Sequence, residues 1–266
     1  MAVLTVSRQI ASFGDEICKS VAAHLGYKFI SRKDIEKRIL DFGFSESKLK
    51  KFDEKKPGFL SSLTNDRDKY LDYLQLAIFE AAADDNCVII GRGSFIILRE
   101  LANHISLKII AEKGLRISRY DAEHGCGLKK ALKMVNESDS NRDGFNKSFF
   151  DFDVNNPSMF HLVINTGLLD IAPISSSVET LVKSAITEEK SISGNKKAGE
   201  LLFAQKIVIF LKYEKSLMIK FLRAEASKNR ITLHGIADSN AEIEKALRIV
   251  RENFPEYDVV SRISEI

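Results

Sequence analysis

The chain opens on the feature that constrains it most. Ala2–Val3–Leu4–Thr5–Val6 is an apolar strand that runs through Ser7–Arg8–Gln9–Ile10–Ala11–Ser12–Phe13–Gly14 into a helix beginning near Asp15. A strand, a short loop and an immediate helix form the first unit of an α/β domain, and the N–H groups at such a helix start favour anions. A lysine-bearing phosphate loop adds small residues for close backbone approach, a Lys for the β/γ oxygens and a Ser/Thr for magnesium. Here Gly14 is the one glycine and the Lys is missing. Ser7, Gln9 and Ser12 offer polar side chains and Arg8 a cation, while Phe13 replaces a small residue. Asp15 and Glu16 stabilise the helix start and repel a triphosphate. On loop chemistry alone, nucleotide binding and its loss both stay open.

Further strand signals fall at Cys87–Ile90, Leu107–Ala111 and Phe160–Ile164, separated by helical patterns. Short apolar strands alternating with helices predict a largely parallel sheet covered on both faces, a three-layer α/β domain. Ile17, Val21, Ala22 and Leu25 keep a helical period up to Gly26, and Ser31 with Asp34 reads as a capping box opening a helix to Asp41. Residues 45–65, with Lys48, Lys50, Lys51, Lys55 and Lys56 around Pro57–Gly58, read as a solvated connection. Helices are expected at Asp66–Asp84, Leu115–His124 and Leu128–Glu137, and the polar stretch Ser138–Ser148 reads as a mobile lid. Another helix is expected at about Ser175–Thr187. The charged stretch Glu188–Lys197 is the best linker. Beyond it, Ala198–Tyr213 is apolar enough for a helix or a strand and reads better as a helix; with a hairpin of Leu217–Ala224 and Arg230–Ile236 around Ser227–Lys228–Asn229, a helix at Ser239–Asn253 and a strand at Asp258–Ile263 it marks a small α+β unit in α-β-β-α-β order. The expected domains are 1–190 and 196–266.

At 266 residues with 44% apolar content the chain supports a large and a small domain. Its net charge of +3 is too small for a sequence-independent nucleic-acid footprint, so no nucleic-acid partner is expected. Cys18, Cys87 and Cys126 fit neither a disulfide framework nor a zinc pattern and read as reduced thiols, which favours a cytoplasmic setting. The five histidines show no metal spacing, so no protein-held metal is expected.

Arg92 follows the strand Cys87–Ile90 and stands between Gly91 and Gly93. A guanidinium at a strand C-terminus suits a phosphate; the alternative is an Arg satisfying carboxylates or helix-end carbonyls. Arg116 and Arg119 share a helix face and Arg142 lies beyond, an arrangement that phosphoryl transfer can use to neutralise developing charge. Asp121 and Glu123 could instead pair with them.

Together, Ser7–Arg8–Gln9, Gly14 and Ile17, Gly26–Tyr27–Lys28–Phe29 before Arg32, Val88–Ile89–Ile90–Gly91–Arg92–Gly93, Arg116, Arg119 and Asn165–Thr166 resemble the cytidylate kinase-like family over roughly residues 1–185. The resemblance implies a nucleoside-monophosphate-kinase fold, ATP with Mg²⁺ as phosphoryl donor and a pyrimidine monophosphate such as CMP as acceptor. It implies that Ser7, Arg8, Gln9, Ser12, Gly14 and Asp15 surround the donor phosphates and that Arg92, beside Gly91, holds the acceptor phosphate. Arg32 would line the acceptor side, and Arg116, Arg119 and Arg142 would close over the transferring group. The chain departs from the family pattern at Ala11 and Phe13, where the loop has glycines, at Ser31, where an Asp is usual, and at Asn141, where another Arg is common.

Residues 196–266 resemble a BON domain through Lys215–Lys220, the Thr232–Leu233–His234–Gly235 turn before a helix and Val259–Ile263. That resemblance implies binding of a protein or phospholipid surface; the alternative is an appendage packed on the kinase-like part or its homodimer mate. Two functions follow: a nucleotide-binding phosphotransferase, or an inactive kinase-like sensor or scaffold whose C-terminal domain recruits a partner.

Overall fold

A computed structural model describes residues 2–52, 65–84 and 86–266. Two compact units divide at Asn195 and Lys196.

In the first unit the chain runs β1 (Val3–Arg8), α1 (Gly14–Leu25), β2 (Lys28–Ile30), α2 (Arg32–Asp41), α3 (Glu46–Leu49), α4 (Asn65–Asp84), β3 (Cys87–Ile90), α5 (Ser94–Ile97), β4 (His104–Ile110), α6 (Lys113–His124), α7 (Leu128–Phe150), β5 (Leu162–Asn165) and α8 (Ile171–Ala185). The strands lie in the order β2-β3-β1-β4-β5 and pair in parallel throughout. Side chains alternate across a strand. One face carries Leu4, Val6, Val88, Ile90, Ile105, Leu107 and Ile109, which pack with Ile17, Val21, Val178 and Val182 of α1 and α8. The other face carries Thr5, Ser7, Ser106 and Lys108, paired across β1 and β4 as Thr5 with Ser106 and Ser7 with Lys108. That polar face of the central strands positions the site.

Local signals act as their chemistry predicts at α2, where Ser31 and Asp34 form a complete capping box. Elsewhere three expectations are corrected. Ser138–Ser148 is not a lid loop but the second half of α7, a single 23-residue helix. The stretch read as a linker lies inside α9 (Glu188–Ile209), where Asn195 Oδ1 accepts a hydrogen bond from Asn103 Nδ2 at 3.0 Å. The first part of the region read as a solvated connection is α3 followed by a 3₁₀ turn at Lys50–Phe52, with Leu49 and Phe52 buried and the Phe52 ring against Phe44 and Tyr70. Lys55, Lys56 and Pro57–Gly58 lie outside the described residues.

In the second unit α9 ends in a π turn at Phe210–Glu214, followed by β6 (Lys220–Ser227), β7 (Arg230–Ala237), α10 (Asn240–Asn253) and β8 (Asp258–Glu265). β6 and β7 form an antiparallel hairpin, and α10 crosses over to bring β8 parallel to β7. Ile207, Leu211, Leu233, Leu247 and Val250 fill the core between helices and sheet. Gly235, read as a turn residue, lies within β7, where an added Cβ would stand 2.7 Å from Ile219 Cγ2. Close packing, not a turn, requires the missing side chain there.

Candidate functional site

The loop between β1 and α1 lies at the carboxyl end of the middle strand, where parallel α/β sheets bind ligands. Its backbone is anchored by Gln9 N donating to Ile109 O at 3.0 Å, and the Gln9 side chain accepts from Ala111 N at 3.2 Å. Ser12 is fully buried, its hydroxyl directed at Gln9 O (2.8 Å) and Ile109 O (3.3 Å), so its side chain serves the loop rather than an open surface. Ala11 (φ 55°) and Phe13 (φ 61°) both adopt the left-handed conformation. Both therefore hold a backbone conformation that glycine takes without penalty, at a cost of about 1–2 kcal/mol for each. Gly14 is required by contact, since a Cβ there would lie 2.5 Å from Arg8 Cβ. Arg8 in turn donates from Nε to Asp15 Oδ1 at 3.1 Å. No side chain caps the first turn of α1.

A cavity of about 610 Å³ opens over this loop, walled by Arg8, Gln9, Phe13, Glu16, Arg119 and Arg142 among others. Arg119 on α6 is held from two sides. Its Nη1 and Nη2 donate to Thr166 Oγ1 (3.0 Å) and Thr166 O (2.7 Å), and its guanidinium carbon stands 4.0 Å from the centre of the Phe13 ring. Thr166 Oγ1 also donates to Ser12 O at 3.1 Å, so the end of β5, the loop and α6 form one braced wall. Desolvation draws the Arg119 pKa below the usual arginine range, without removing its charge near neutral pH. Arg142 projects from α7, with Nη1 on Ser138 Oγ at 2.7 Å, and borders the same cavity.

Other residues expected at the site face elsewhere. Arg116 is 3% exposed and grips Asp139 with two bonds (3.0 and 2.8 Å), while its Nε donates to Ala111 O at 3.2 Å. It ties α6 to α7 and is no part of the cavity wall. The Arg92 side chain is fully buried. It pairs with Glu36 and donates to Phe52 O (2.9 Å) and Tyr70 Oη (3.2 Å), with the Phe145 ring 5.9 Å away. Of its two expected roles, satisfying groups of the protein itself is the one seen in this conformation. The gap beside Gly91 and Arg92 measures about 20 Å³, room for a single water. Arg32 joins the same carboxylate, with Nε 3.0 Å from Glu36 Oε1.

Sequence reasoning missed Glu36, Asp139, Asp143 and Lys108. Ser7, Arg8, Gln9, Lys108, Arg142 and Asn155 surround a second cavity of about 160 Å³, together with Asp139 and Asp143. A lysine in the middle of the apolar strand Leu107–Lys108–Ile109–Ile110 is the signal that could have found it. Among the described residues no group of three or more His, Cys, Asp or Glu side chains could hold a metal ion, and no helix is long and apolar enough to cross a membrane.

A five-stranded parallel sheet whose middle strand opens through a short loop into a helix defines a P-loop-like α/β domain of the kinase type, followed here by a smaller α+β unit. The chain belongs to the cytidylate kinase-like family, whose sequence profile matches residues 3–168. No curated protein matches the chain. Among solved structures it is similar to an uncharacterized protein from Eubacterium ventriosum, at 18% identity and TM-score 0.53, over 69% of this chain and 99% of that one. It is also similar to a shikimate kinase from Bacteroides thetaiotaomicron (14% identity, TM-score 0.44, 68% and 98% covered) and a gluconokinase from Sinorhizobium meliloti (14%, 0.41, 69% and 92%).

Proposed function

We propose that the N-terminal domain, residues 1–190, binds a nucleoside triphosphate with Mg²⁺ over the β1–α1 loop and transfers its terminal phosphoryl group to a nucleoside monophosphate such as CMP. The observation that carries this reading is the 610 Å³ cavity on which Arg8, Arg119 and Arg142 converge beside the uncapped start of α1. Its volume falls in the range of about 300–1,000 Å³ typical of small-molecule sites. Phosphoryl transfer is mostly positioning and charge neutralisation, and three guanidinium groups supply both.

Asp15 and Glu16 are exposed on the cavity wall. They repel a bare triphosphate and suit one whose charge is offset by Mg²⁺, which commonly takes one or two carboxylates together with substrate phosphates. Ser7, Gln9 and Gly14 would border the phosphates directly. Ser12 would act through the backbone it braces. Gly91 and Arg32 would lie on the acceptor side, where Arg92 must leave Glu36 and Phe52 before it can meet a phosphate. Arg116 would hold α6 and α7 in place rather than touch the transferring group.

The closed state of Arg92 supports a second reading, an inactive nucleotide sensor or scaffold. In that reading the acceptor side stays shut and the C-terminal unit, on its BON-like resemblance, engages a protein or phospholipid surface.

A thermal-shift panel with ATP, GTP, CMP, UMP and AMP, with and without Mg²⁺, tests both. A ligand at one hundred times its Kd stabilises by about 2.7 kcal/mol, a rise of roughly 5–10 °C for a unit of this size. Shifts with ATP·Mg²⁺ and with CMP, and ADP formation from the pair, are expected for the kinase. A triphosphate shift without a monophosphate shift or turnover selects the sensor. No shift with any nucleotide at millimolar concentration overturns the kinase and the nucleotide sensor and selects the scaffold.

A further inference from the structure

Lys108 is out of place energetically. It is 6% exposed in the middle of β4, paired with Ser7 of β1 on one side and Val163 of β5 on the other. Leu107 and Ile109 on either side of it face the apolar core, so Lys108 occupies the polar face with Ser7. Its ammonium donates to Val154 O and to Asn155 Oδ1 at 3.2 Å, and the Phe160 ring lies 5.7 Å away. All three partners are neutral, and no carboxylate lies within 4.0 Å of it among the described residues. Asp139 is committed to Arg116, and Asp143 accepts from Asn155 Nδ2 at 3.2 Å.

Burial lowers the Lys108 pKa from the usual lysine range, and Asp143, Asp153 and Asp139 pull it back only through space. A cation held this way is expensive for a fold to keep, and an apolar side chain would suit the same position for stability alone. An ammonium has three donors, and two are accounted for. The cavity it borders measures about 160 Å³, enough for a tetrahedral oxyanion. That cavity shares Arg8, Gln9 and Arg142 with the larger one over the loop, so a phosphate chain entering above the loop has a continuous wall to follow.

We propose that this smaller cavity is an oxyanion site for a phosphoryl group and that Lys108, from the sheet, donates to a non-bridging oxygen in place of the lysine the loop lacks. The proposal rests on the reading that this unit holds a nucleotide, and it adds a residue to that site. No bond is made or broken by Lys108; its part is a hydrogen bond and a positive charge opposite the bound group.

The test uses the full chain with inorganic phosphate and ATP·Mg²⁺ as probes, comparing wild type with Lys108→Met by calorimetry and thermal melting. The expected result is that Lys108→Met melts no lower than wild type without anion and binds phosphate at least tenfold more weakly. A variant that melts lower yet binds phosphate unchanged would make Lys108 a strut for the Val154–Asn155 segment and overturn the proposal. If the variant does not fold, the ¹⁵N resonance of the buried ammonium in wild type decides. A saturable shift on adding phosphate supports the site; a resonance unmoved by phosphate and by bound ATP·Mg²⁺ removes it. Equal ATP·Mg²⁺ affinity in both proteins sinks this proposal and spares the nucleotide reading. Phosphate binding at Lys108 without nucleotide binding does the reverse.

Discussion

Replacing Arg92 with Met separates a ligand contact from a structural tie. Had the guanidinium faced an open phosphate site, its loss would cost binding and leave folding intact. The structure argues the opposite outcome. Removing one partner of a buried ion pair costs about 3–5 kcal/mol. Glu36 is 20% exposed and keeps Arg32 Nε at 3.0 Å, which pulls the figure to the lower end. Phe52 O loses its 2.9 Å donor, which adds about 1 kcal/mol. The flexible Met side chain fills the volume of the arginine stem, limiting any cavity term. The sum is a loss of about 3–4 kcal/mol, or roughly 10 °C in Tm at about 2–4 °C per kcal/mol. The chain has no Trp, so urea unfolding would be followed by far-UV circular dichroism and tyrosine fluorescence. A double-mutant cycle with Glu36→Gln should give a coupling of about 1–2 kcal/mol. An Arg92→Met protein that unfolds at the wild-type urea midpoint while losing monophosphate affinity would refute the reasoning.

Two further predictions concern the sheet and the loop. Burial, and to a lesser degree the neighbouring His161, pull the His104 pKa down to about 3, so the folded state holds this imidazole neutral and bonded to Thr5 Oγ1 at 2.6 Å. Between its ordinary value near 6.5 and about 3 the unfolded chain binds the extra proton. Stability therefore rises with pH across that window by up to about 1.4 kcal/mol per pH unit, and it is lost on acidification from 6.5 toward 3. His104→Gln should flatten that part of a stability-against-pH curve, and parallel curves for the two proteins would contradict the assignment. Ala11→Gly should leave Tm unchanged or raised, because relief of about 1–2 kcal/mol of left-handed strain outweighs or matches about 0.4–1 kcal/mol of added unfolded-state entropy. A fall of several degrees would show that the loop is not left-handed at residue 11 in solution.

Residues with local partners were legible in the sequence. Ser31 and Asp34 cap a helix three residues apart, the strand at Cys87–Ile90 declares itself as a short apolar run, and the Arg230 hairpin does so through its turn chemistry. The second half of α7 was not legible. Its inward row continues from Ala131 and Val135 through Asp139 and Arg142 to Phe145 and Phe149, but the two middle members face a site and an ion pair instead of the core. Polar residues at inward, half-buried positions erase the apolar period, and a helix then resembles a loop. Glu188–Lys197 misled in the same way, since its helix is tied down through Asn195 and Asn103, 92 residues apart.

The layered architecture, the division into a large and a small unit and the strand–loop–helix near the start of the chain are readable from the sequence, because periodicity, caps and short turns are encoded within a few residues. Which cations line the cavity over that loop depends on tertiary packing. Arg92 finds Glu36, Phe52 and Tyr70 at separations of 56, 40 and 22 residues, Arg116 finds Asp139 at 23, and Lys108 reaches Asn155 at 47. Whether a guanidinium or ammonium meets solvent, a ligand or another part of its own chain is settled by the packing of distant segments, and no local pattern records it.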